Sequence, residues 1–229
     1  MKTVYILHGW TYSTNKWKPL QAKLEKEKVN AILLRIPGLT TTIDRAYSID
    51  DYVNWLDIEL PKDEKVVIAG HSNGGRLALH FAQKFPERVE HLFLIDSAGV
   101  YHDDLYSRVK RGSFRLAAKI GKKFTNSAIA RKILYKAARE SDYQNADPIM
   151  KQTMKNLLES DKTLSLTSVN VPTTIIWGEK DMTTPLVDGL IMHAKIKNSK
   201  MYTISEAMHS PQFSHPEKVT AIIVQLFEQ

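Results

Sequence analysis

Short apolar runs alternate with stretches of helical period along most of this 229-residue chain. Lys2–Leu7, Ala31–Ile36, Val66–Ala69, His91–Ile95, Thr173–Trp177 and Met201–Ile204 have strand length and are rich in Val, Ile, Leu and aromatic residues. Between them apolar residues recur every three or four positions. Trp17, Leu20 and Leu24 predict a helix over Trp17–Lys28, and further helices fall over Ile49–Leu60, Arg76–Phe85, Leu186–Ala194 and Pro216–Phe227. Ser48, followed by Asp50 and Asp51, marks the start of the second of these. Strand–helix alternation predicts an α/β fold, with a parallel sheet covered by helices on both faces. Ligands bind such sheets at the carboxyl ends of the strands.

One segment breaks the pattern. From Val100 to Ser168 no convincing strand occurs, and helices are predicted at roughly Asp104–Phe124, Ser127–Arg139 and Pro148–Glu159, with Gly112 and Gly121 able to interrupt the first. The chain therefore divides into a core, residues 1–99 and 169–229, and a helical insertion, residues 100–168.

The charge is concentrated in the insertion. It carries 14 Lys and Arg against 7 Asp and Glu, so its excess equals the +7 of the whole chain. Solvated helix faces account for such an excess, since Lys and Arg are good helix formers. An anionic substrate is the functional version that suits it best. No nucleic-acid recognition motif accompanies the charge, so no nucleic-acid partner is expected. No run approaches the ~20 apolar residues of a membrane span, so no stable membrane insertion is expected. The apolar stretch Val4–Leu7 is too short for a signal peptide. The absence of cysteine excludes disulfides, thiolate metal sites and a cysteine nucleophile, and it fits a cytoplasmic location.

The candidate chemistry starts at Gly70-His71-Ser72-Asn73-Gly74, a G-x-S-x-G pattern between a buried strand and a helix. In that setting the backbone must turn sharply, and small residues on either side let strand and helix nearly touch. The serine is then exposed beside helix N-terminal amides that favour negative charge. A nucleophilic serine needs a base, and the base needs an acid to fix its tautomer. Downstream, one strand end leads to Asp181 and another to His209. Asp96, at the end of the strand His91–Ile95, is the alternative acid, and Glu179 a third candidate. Of the other histidines, His8 is expected to shape the first turn, His71 to point away from the pocket and His80 to lie too far along its helix. His91, His102, His193 and His215 read as surface or structural. No histidine pair has metal-ligand spacing with carboxylate support, so no metal site is expected.

With His8-Gly9-Trp10, Phe85-Pro86-Glu87-Arg88-Val89, Trp177-Gly178-Glu179-Lys180-Asp181 and Ala207-Met208-His209, these pieces span nearly the whole chain. Together they resemble the α/β-hydrolase superfamily, and within it the capped serine hydrolases: carboxylesterases and C–C bond hydrolases. The chain order of nucleophile, acid and base is that of this superfamily. The resemblance implies a sheet of about six strands, because the chain begins at the strand that carries His8-Gly9. It implies an oxyanion hole made by the backbone N–H groups of Trp10 and Asn73, and a helical cap (lid) at the insertion. It implies catalysis by Ser72, His209 and Asp181 without a cofactor, on a small-molecule acyl ester, by a monomer or homodimer. A serine at the elbow argues against dehalogenase- or epoxide-hydrolase-like chemistry, which uses an aspartate there. Cleavage of a carbon–carbon bond in a vinylogous diketone acid, thioester or lactone hydrolysis, and non-catalytic ligand reception stand as alternatives.

Overall fold

The computed structural model describes residues 2–102 and 147–228. Six strands form one all-parallel sheet: β1 (Lys2–Leu7), β2 (Val29–Leu33), β3 (Val66–His71), β4 (Val89–Ile95), β5 (Thr173–Gly178) and β6 (Ser199–Ile204), in the spatial order β2-β1-β3-β4-β5-β6. The connecting helices are α1 (Lys18–Lys26), α2 (Ile49–Glu59), α3 (Asn73–Lys84), α4 (Pro148–Ser160), α5 (Leu186–Lys195), α6 (Pro211–Ser214) and α7 (Pro216–Val224). Alternate strand residues feed two cores, as the two-residue period of a strand requires. Val4, Ile6, Phe93 and Ile95 pack on one face with Trp17, Leu20 and Leu24 around α1 and Val219 and Ile223 of α7. Leu7, Ile68, Leu92 and Leu94 pack on the other with Tyr52 and Leu56 of α2, Leu77 and Phe81 of α3, and Met192 of α5.

Several boundaries shift by two or three residues from the sequence expectation, and two of the shifts have a clear physical reason. β2 starts at Val29 and ends at Leu33, not Ala31–Ile36, because the register set by β1 pairs Lys2 with Val29 and Ile6 with Leu33. The Leu34 N–H still donates to Ile6 O, whereas Ile36 is buried beyond the ladder, so the end of the apolar run reports burial rather than pairing. α3 begins at Asn73, three residues before the expected Arg76. Gly74 and Gly75 look like helix breakers, but they sit within the helix. A Cβ on Gly74 would lie 2.1 Å from the Leu7 carbonyl oxygen, and one on Gly70 would lie 2.6 Å from the Gly75 Cα. α6 was not anticipated. The start of α2 follows its sequence signal in full. Ser48 accepts from the Asp51 N–H, the Asp51 carboxylate accepts from the Ser48 N–H, and Arg45 pairs with the same carboxylate.

Of the insertion, α4 matches its predicted span to within one residue. Asp147 caps its N-terminus by accepting from Met150 N–H, and Met150 and Leu157 are buried in the core. The helices expected at Asp104–Phe124 and Ser127–Arg139 lie outside the described residues. Among the described residues no helix is long and apolar enough to cross a membrane.

Candidate active site

Ser72 stands between the carboxyl end of β3 and the first residue of α3, with φ 54° and ψ −119°. A positive φ is costly for a residue with a Cβ, by about 1–3 kcal/mol, and persists only where surrounding structure imposes it. Here the Ser72 N–H donates to Ile95 O (3.1 Å) and the Ser72 carbonyl accepts from Ala98 N–H (2.9 Å). The neighbouring strand thus clamps the turn from the side.

The turn after β6 brings His209 to this elbow, and the turn after β5 brings Asp181. His209 Nε2 lies 3.0 Å from Ser72 Oγ, and His209 Nδ1 lies 2.7 Å from Asp181 Oδ2. Asp181 and His209 are both buried. Asp181 Oδ1 accepts from the N–H groups of Thr183 (2.7 Å) and Thr184 (3.2 Å), so the carboxylate closes its own turn and presents Oδ2 to the imidazole. The arrangement can move a proton from the hydroxyl to a ring whose tautomer is fixed from behind.

Asp96 and Glu179 are placed differently. Asp96 is fully buried, with φ 42°, and its Oδ1 accepts from Gly178 N–H at 2.7 Å, stitching the end of β4 to the end of β5. Glu179 is on the surface. There its carboxylate accepts from Glu206 N–H and Ser205 Oγ, which hold it below the usual carboxylate range.

Asn73 opens α3, where a backbone N–H has no acceptor within the helix. Trp10 follows β1 in the turn after His8-Gly9. Each also carries a buried side-chain N–H group without a partner among the described residues, Trp10 Nε1 and Asn73 Nδ2. His8 is buried, with Nδ1 2.8 Å from Gly9 O, and desolvation pushes its pKa down, so it stays neutral and shapes the turn.

Three supports were not foreseen. His71 was expected to point away from the pocket; its Nε2 lies 3.0 Å from the main-chain oxygen of His209, and the two ring centroids are 5.0 Å apart. Trp17 and Phe213 meet the same ring edge-on or tilted. Thr184 Oγ1 is within 2.8 Å of Asp181 Oδ2, 3.2 Å of His209 Nδ1 and 3.0 Å of Asp96 O, so one hydroxyl joins acid, base and the β4 end. Its signal was present in the sequence, since an Asp followed by Thr two and three residues on is a turn that caps itself. The third support, Arg76 with Asp161, joins residues 85 apart and had no local signal.

Among the described residues, His71, Asp96 and His209 form one cluster with ligand-capable atoms within 4.8 Å of one another. Both His209 nitrogens already face Asp181 and Ser72. A metal ion would have to displace one of those contacts, so the donor set does not suit a resident ion.

Comparison with known proteins places this geometry in context. A family model described as the alpha/beta hydrolase fold matches residues 2–216. The pimeloyl-[acyl-carrier protein] methyl ester esterase of Neisseria meningitidis is 27% identical over 245 residues, covering 97% of this chain and 91% of the relative. The crystal structure of a thermophilic esterase from Thermogutta terrifontis superposes with a TM-score of 0.69 at 22% identity, over all of this chain and 90% of the other. A meta-cleavage product hydrolase from Pseudomonas fluorescens superposes with a TM-score of 0.67 at 20% identity, over all of this chain and 91% of the other. At these identities the two structures speak for the fold alone.

Proposed function

The chain belongs to the α/β-hydrolase fold family, and from that premise we propose that it is a cofactor-free serine hydrolase cleaving carboxylic esters through an acyl-enzyme. The observation that carries this reading is the continuous hydrogen-bonded line from Ser72 Oγ through His209 to Asp181. Ser72 attacks the ester carbonyl as His209 Nε2 takes its proton. Asp181 keeps the remaining proton on Nδ1 and stabilises the imidazolium. The Trp10 and Asn73 backbone N–H groups receive the oxyanion; losing one such donor typically costs about 10² to 10³ in rate. His209 then protonates the leaving alcohol, activates water and returns the proton to Ser72.

Similarity to the Neisseria esterase supports an ester with a small alcohol on a longer acyl group. Met182 and Met208, next in sequence to the proposed acid and base, are 75% and 69% exposed and offer apolar surface to an acyl group. In this reading residues 100–168 form the cap that covers the acyl group, and their basic excess suits a substrate bearing a carboxylate.

Hydrolysis of a chain-length series of p-nitrophenyl esters by the wild type and by Ser72→Ala tests the reading. Turnover that vanishes in Ser72→Ala is the expected result. Equal rates in both proteins would sink it. Turnover only of a vinylogous diketone acid would move the reaction to carbon–carbon cleavage, and ligand binding without turnover would make the chain a receptor.

A further inference from the structure

Arg76 is a buried cation in the first turn of α3, only 5% exposed at its side chain. That is an unfavourable end of a helix for a positive charge, because the dipole there is already positive. The fold gives each of its three nitrogens an acceptor. Nε donates to Asp161 Oδ1 at 2.6 Å and Nη2 to Asp161 Oδ2 at 2.8 Å, a two-pronged pair that matches guanidinium to carboxylate. Nη1 donates to Asn73 Oδ1 at 2.7 Å. Among the described residues this is the only hydrogen bond the Asn73 side chain makes, since its Nδ2 has no partner. His80, one turn further along α3, is kept neutral by burial, its pKa pushed down to about 4, so it neither repels Arg76 nor competes for Asp161 near neutral pH. Replacing a buried pair by apolar groups is often neutral or stabilising, so stability alone does not account for this one.

What the pair connects is specific. Asn73 is the residue after the nucleophile, and its backbone N–H is a proposed oxyanion donor. Asp161 is the residue that ends α4, the helix that returns from the insertion to the core. We propose that Arg76 is a positioning residue: it fixes the Asn73 peptide through the Asn73 side chain and links the oxyanion side of the site to the end of α4. This rests on the hydrolase reading above. The planar fork is essential to it, because a lysine ammonium in the same space cannot hold two carboxylate oxygens and an amide oxygen in one plane.

The test is a series of Arg76→Lys, Asn73→Ala and the double variant, each checked for melting temperature. Two readouts follow the oxyanion rather than the fold: kcat and KM on the best p-nitrophenyl ester, and the rate at which a fluorophosphonate modifies Ser72, measured by intact mass. Arg76→Lys is expected to lose about 10- to 100-fold in kcat and in labelling rate, short of the loss of a whole donor, with KM within about threefold. The double variant should be no slower than the slower single variant, because both act through one side chain. Folded Arg76→Lys with wild-type kcat and labelling rate overturns the proposal, and so do losses that simply add in the double variant. If Arg76→Lys does not fold, Arg76→Met/Asp161→Leu removes both charges together; a folded protein with wild-type labelling rate overturns the proposal equally. Failure of the wild type to be labelled at Ser72 would instead overturn the hydrolase reading, and so separates the two.

Discussion

Ser72, the proposed nucleophile, is defined by its setting. The positive φ lifts its hydroxyl out of the helix that follows, and the β4 end pins the turn through Ile95 and Ala98. The choice between acids then rests on single contacts. His209 Nδ1 meets Asp181 Oδ2 at 2.7 Å, whereas Asp96 spends Oδ1 on the Gly178 N–H. Asp181→Asn would present an amide N–H to Nδ1 and favour the wrong tautomer, and kcat is expected to fall about 10³- to 10⁴-fold. Asp96→Asn keeps an oxygen for Gly178 and should retain activity within about tenfold. Steady-state kinetics on one ester checks both, and the opposite ranking would reassign the acid. Ser72, Asp181 and His209 were each visible in the sequence as a polar residue just beyond an apolar run. The contacts of His71 and Thr184 with His209 were not foreseen, since they exist only after β3, β5 and β6 are side by side.

All six strands and every connecting helix but α6 could be read from the chain, because each apolar run is short and bounded by polar turns. Boundaries slipped where tertiary contact overrides local pattern: the register of β1 sets β2, and the close approach of β1, β3 and α3 demands glycines inside a helix. The four-residue α6 is too short to show a period, and it forms because the chain must turn directly after His209. Helix α2 is the opposite case, with its N-terminus written entirely in local residues. Ser48→Ala removes the acceptor for Asp51 N–H and should cost about 1 kcal/mol of unfolding free energy. Urea melts should show a lower midpoint with an unchanged slope, and esterase activity at 25 °C should be unaffected. A loss below ~0.2 kcal/mol would mean that Arg45 and Asp51 hold this turn without the serine.

Taken whole, the molecule has an acid-sensitive fold that its basic composition alone does not foretell. Burial pushes the pKa of His80 and of His91 down to about 4, with Lys200 adding to the effect on His91. Both rings stay neutral in the fold at pH values where the unfolded chain already binds their protons. The stability these two rings contribute by staying neutral is therefore fully present above about pH 6.5 and is lost as pH falls toward about 4. The loss reaches about 3 kcal/mol for His80 and less for the half-buried His91, which water screens. Urea unfolding at pH 7 and pH 5 should show the drop, and His80→Gln should flatten it; equal stability at both pH values would contradict the burial argument. The order of the sheet has a further consequence, during synthesis. β4 needs β5 as its neighbour, yet 77 residues separate Ile95 from Thr173. At roughly 5–20 residues per second the ribosome takes about 4–15 s to deliver the missing strand. Meanwhile the edge of β4, with four fully buried apolar residues in the finished protein, waits unpaired. Ser72 is made before Asp181 and His209 exist, so on the proposed mechanism a nascent chain stalled in that interval is inert, and its open sheet edge favours aggregation.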